Sequence, residues 1–147
     1  MDVHLAVRWL HVSAAMLIAG GAVLVAALLY GRQLQPRRHA DLMLLVADRY
    51  ERVFWAAFGV LVVTGVGNLG AFGGGLPQPD SEWGRALTLK LIAVLVVAAA
   101  SAARTLLVAG LHEAGDVRTL AVLRASYTAT SVLVLGVVGL AEVLAHG

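Results

Sequence analysis

The chain contains no cysteine, a single lysine and three prolines. Without cysteine there is no disulfide framework, no thiolate metal site and no cysteine nucleophile, and redox chemistry gives no clue to compartment. Charge is scarce as well: 14% of residues are charged, 60% are hydrophobic and the mean hydropathy is +0.85. That balance excludes an ordinary soluble domain and points to a polytopic membrane protein. Ten of the eleven basic residues are arginines, most of them beside apolar runs. They read as topology signals, so the sequence pI of about 9.5 does not argue for a nucleic-acid partner. Catalytic templates are missing too. There is no G-x-S-x-G, no H-E-x-x-H, no P-loop and no G-x-G-x-x-G opening a helix after a strand. Any chemistry would therefore belong to a bound cofactor, and the balance leans away from an enzyme.

What is present is four long apolar stretches, at about 5–29, 53–72, 85–109 and 121–145. At 1.5 Å per residue each is long enough to cross ~30 Å of hydrocarbon. Lipid offers no partner for backbone polar groups, and the runs lack the alternation of a barrel strand, so the spans are helical. The expected fold is all-α: a four-helix transmembrane bundle forming one domain over residues 1–147. The first run is too long for a signal-peptide core and lacks a basic leader, so it reads as mature protein.

The connections sort by charge. Arg32, Arg37, Arg38, Arg49, Arg52, Arg104, Arg118 and Arg124 fall in or beside the links 1–2 and 3–4, against Arg8, Arg85 and Lys90 on the other side. Positive-inside bias then puts both links in the cytoplasm and both termini outside. The stretch "HADLMLLVADRYERVFW" has apolar Leu42, Leu45, Val46, Val53 and Phe54 among charges, which predicts a short amphipathic helix between spans 1 and 2. After the Gly/Pro-rich link, Asp80 or Ser81 can cap span three, with Glu82 in its first turn and Trp83 at the interface. Small residues, including "AAASAA" and Gly20–Gly21, allow close helix approach.

Polar groups gather at one level. Lys90 lies about seven residues into span three, roughly 10 Å below its start, and His11 sits at a similar depth in span one. Asn68 lies near the outer end of span two, and Glu142 and His146 near that of span four. His4, Arg8 and His11 share one helix face at i, i+4 and i+7. An ionisable group within a span costs ~3 kcal/mol or more, which makes it a candidate for function, although a shallow lysine can also snorkel to the headgroups. The candidate cofactor-binding set is therefore His11, Lys90, Arg8 and Asn68, and the candidate metal ligands are His4, His11 and His146. Imidazole suits copper, zinc or haem iron. Met1, Met16 and Met43 form no cluster, so the sequence does not supply a dedicated Cu(I) relay.

Two stretches carry a family resemblance. "RYERVFWAAFGVLVVTGVGNLGAF" followed by "WGRALTLKLIAVLVVAAASAAR" resembles the copper resistance D (CopD) membrane domain through Thr64, Gly65, Trp83, Gly84, Arg85, Leu87, Lys90 and Arg104. Ser81 stands where that family has a threonine, and Leu10, His11, Gly20 and Gly21 fit its "LH…GG" first span. The resemblance implies copper handling or transport across the inner membrane. The chain is also similar to HemJ-type four-span proteins, in which a first-span histidine and a third-span lysine serve haem b; His11 and Lys90 occupy those places. The end of span one departs from that group, reading "LLYGRQLQP". Three readings stay open: a copper-handling membrane protein, a haem b enzyme or electron carrier, and a cofactor-free accessory subunit. The partners they imply are the lipid bilayer, a metal ion or haem, and a homodimer or larger membrane complex.

Overall fold

Four helices make up the fold: α1 (Val3–Leu29), α2 (Pro36–Gly70), α3 (Glu82–Ala114) and α4 (Val117–His146). The computed structural model describes residues 2–31, 36–70, 78, 80–114 and 117–146, with side chains for 2–31, 41–67, 78, 80–110 and 121–139. The segments long and apolar enough to cross a membrane are Val3–Leu29, Asp41–Gly67, Glu82–Gly110 and Ala121–Gly139. The protein is thus a multi-pass membrane protein, built as the expected four-helix bundle.

The helices form a ring in which α1 packs on α2 and α4, and α3 packs on α4 and α2. Across the ring α2 also touches α4, whereas α1 and α3 make no close backbone approach among the described residues. The inward stripe of α1 is Ala14, Ile18, Ala22, Val25, Ala26 and Leu29, spaced so that one helix face meets its neighbours. The outward surfaces are large and apolar, as lipid requires: Met16, Val63, Leu95 and Leu106 are each about two-thirds exposed or more.

The amphipathic helix between the first two spans is the first half of α2, which runs unbroken into the second span. Its apolar residues divide between two faces. Leu42, Leu45 and Val53 point outward, while Met43, Leu44, Ala47, Tyr50, Glu51 and Phe54 are buried against the bundle. The physical reason is continuity: the rotation of this segment is set by the long span it extends, and lipid accepts the leucines on the outside.

Two caps fix the helix ends. At the start of α3 the Ser81 hydroxyl accepts from the Gly84 N–H at 3.0 Å and donates to the Gln78 carbonyl at 2.7 Å. Gly84 is required there, because a Cβ would collide with the Gln78 carbonyl oxygen. Gly84→Ala is accordingly expected to cost about 1–3 kcal/mol and to unseat the cap, read as faster tryptic cleavage at Arg85 in micelles. At the end of α1, Arg124 donates to the Leu29 carbonyl at 2.9 Å and 3.2 Å, with its guanidinium 4.7 Å from the Tyr30 ring. A cation on the last carbonyls of a helix also meets the negative end of its dipole.

Candidate functional site

The bundle holds two polar stations separated by an apolar layer. The first is built on α1 and α2. Half-buried His11 meets buried Thr64 with Nδ1 2.9 Å from Oγ1. The Thr64 hydroxyl also lies 2.6 Å from the Val60 carbonyl oxygen and 3.2 Å from that of Leu61. Gly65 leaves room beside the ring: a Cβ there would stand 3.6 Å from His11 Cε1. One turn earlier on α1, Val7 packs toward Gly67.

The other expected site residues are not drawn into this contact. His4 and Arg8 are exposed and make no hydrogen bond or ion pair with another described residue. Lys90 is half-buried on α3, also without such a partner among the described residues. The side chains of Asn68 and His146 lie outside the described residues, as do those of Glu142, His39 and His112. Among the described residues no group of three or more His, Asp or Glu side chains could hold a metal ion.

The second station joins α2, α3 and α4, and Glu51 was not among the expected site residues. Glu51 and Arg104 form a buried ion pair, with Arg104 Nε 2.7 Å from Oε1 and Nη2 3.2 Å from Oε2. Tyr127 donates its hydroxyl to Oε1 at 2.6 Å and Thr105 donates to Oε2 at 2.5 Å. Arg104 Nη1 donates to Thr130 at 2.8 Å. Trp55 Nε1 donates in turn to the Thr105 hydroxyl at 3.0 Å. Three rings enclose the guanidinium, with centroids 4.8 Å (Phe54), 5.0 Å (Tyr127) and 5.6 Å (Tyr50) from Cζ. The carboxylate is saturated with donors, so this station reads as a clamp between helices rather than an exchange site. One turn away on the same face of α3, the buried Ser101 hydroxyl has no partner among the described residues.

Thr64 lies thirteen residues beyond Glu51 on α2, about 20 Å along the axis. Between them the inward face of α2 is Phe54, Ala57, Phe58 and Leu61, so no polar group of that face links the stations.

With this geometry in place, the sequence model of copper resistance protein D matches residues 44–144. The chain belongs to the copper resistance protein D family. No curated protein and no solved structure matches it. The match takes in Thr64–Gly65, Lys90, Glu51, Arg104 and Tyr127, and leaves out α1 with His4, Arg8 and His11. As for a resident group, His11 offers one imidazole, and no second described ligand shares its surroundings. The groove lined by Leu10, Trp55, Gly59, Val63 and Thr64 is open and overwhelmingly apolar.

Proposed function

We propose that this protein handles copper as a cargo ion in a bacterial plasma membrane, at the end of the bundle that carries His11, with both termini on the periplasmic side. The observation that carries the reading is the His11–Thr64 contact: a half-buried imidazole held between α1 and α2, in a member of the copper resistance protein D family. Imidazole is a good copper ligand, and the bundle offers no thiolate to compete with it. His4 and His146 would complete its ligands from the ends of α1 and α4, with Arg8, Lys90 and Asn68 as further polar groups at the same end of the bundle. Ion binding without covalent chemistry fits the absence of catalytic motifs.

The test is metal content and a reduced-minus-oxidised absorption spectrum of the same detergent-purified protein. Stoichiometric copper with no Soret band is the expected result. His11→Ala is expected to weaken copper binding at least ~10-fold, measured by competition with a chromogenic chelator. A Soret band with sharp α and β bands, lost in His11→Ala, would make it a haem b protein instead. Neither copper nor haem would leave an accessory subunit as the reading.

A further inference from the structure

The Thr64 hydroxyl has one proton and three neighbours. Two of them, the Val60 carbonyl at 2.6 Å and the Leu61 carbonyl at 3.2 Å, can only accept. The third is His11 Nδ1 at 2.9 Å. If the hydroxyl proton pointed at Nδ1, the Thr64 and Val60 oxygens would face each other at 2.6 Å with no hydrogen between them. The short distance therefore assigns the proton to Val60, as is common for a threonine within a helix. Toward the ring the Thr64 oxygen is then an acceptor, so Nδ1 must be the donor. A neutral imidazole has a single N–H. With it on Nδ1, the lone pair is on Nε2.

We propose that Thr64 is a positioning residue that locks His11 in its Nδ1–H tautomer and presents Nε2 as the nitrogen that binds a metal cation. The arrangement is the one metal-binding histidines generally need, with the second ring nitrogen fixed by an acceptor that orients the ring. Gly65, beside Cε1, keeps the ring's flank free of a side chain. Copper as the cation rests on the reading above, whereas the tautomer does not.

The experiment separates the two. Metal-free protein carrying ¹⁵N-histidine is studied in detergent by NMR, with the His11 signals assigned by their loss in His11→Ala. The expected result is a pyrrole-type Nδ1 and a pyridine-type Nε2. Thr64→Val keeps the side-chain shape but removes the oxygen, and should release the ring into a mixture of tautomers; Thr64→Ser should restore the lock. In parallel, Cu(II) titration should show affinity falling about 10–100-fold in Thr64→Val and recovering in Thr64→Ser. A hydrogen on Nε2 in the wild type, or an Nδ1–H form untouched by Thr64→Val, overturns the proposal whatever copper does. The expected tautomers with unaltered copper affinity in Thr64→Val would overturn the presentation of Nε2. The expected tautomers in a wild type that takes up no copper would sink the copper reading and leave the lock standing.

Discussion

Arg104→Met is expected to destabilise the bundle by about 3–5 kcal/mol, because it leaves the Glu51 carboxylate buried and without its counter-charge. Glu51 sits on the inward face of α2 with 4% of its surface exposed, so water cannot take over the lost bonds. Only the Tyr127 and Thr105 hydroxyls would remain on it. The reciprocal change, Glu51→Met, strands a guanidinium among three rings and should cost a comparable amount. The double variant is the informative one. With both charges gone the desolvation cost goes as well, and Glu51→Met with Arg104→Met should recover most of the loss. The measurement is unfolding of the purified protein in mixed micelles with increasing SDS. Single variants as stable as the wild type would mean that the pair is not formed in the membrane.

The second large effect concerns two neighbouring glycines. A Cβ on Gly21 would land in the ring of Tyr50, against Cε2 and Cδ2. That ring has nowhere to go. Its hydroxyl donates to the Ile18 carbonyl at 2.7 Å, and the ring packs at a tilt against Phe54 and Tyr127 with centroids 6.1 Å and 5.8 Å away. Gly21→Ala is expected to cost about 2–3 kcal/mol through overpacking. Gly20, one residue away, has nothing within 4 Å of such a carbon. Gly20→Ala should therefore stay within about 0.5 kcal/mol of the wild type in the same unfolding assay. Equal effects at the two positions would refute the packing of α1 on α2 described here.

Much of this was legible in the chain. The spans follow from apolar runs long enough to cross lipid, and the Gly/Pro-rich break narrowed the cap of α3 to Asp80 or Ser81, of which the structure uses Ser81. His11 stood out because an imidazole within an apolar run has few places to go. Thr64 stood out only through the family resemblance, and its contact with His11 was not visible until α1 is laid against α2. The Glu51–Arg104 pair was hidden for a different reason. "ADRYERV" sets Glu51 among other charges, and "SAARTLL" sets Arg104 near the end of an apolar run, where solvated side chains and topology signals are the ordinary reading. The signal was in the spacing. Val97, Ser101, Arg104 and Val108 recur at helical intervals, as do Ala47, Glu51 and Phe54, which puts each charge on the face that also carries the small and aromatic core residues. Periodicity shows that a charge points inward but not which neighbour meets it.

The pairing of Glu51 with Arg104 bears on how the protein is made. The two residues are 53 apart in the chain, and Thr130 follows 26 after Arg104. A ribosome therefore delivers the acid first, the base much later, and the hydroxyl that completes the set later still. Until α3 arrives, α2 carries a carboxylate into lipid at a cost of ~3 kcal/mol, with no cation to answer it. For that interval the second helix holds half of a contact whose other half has not yet been made. Synthesis through α3 closes the interval.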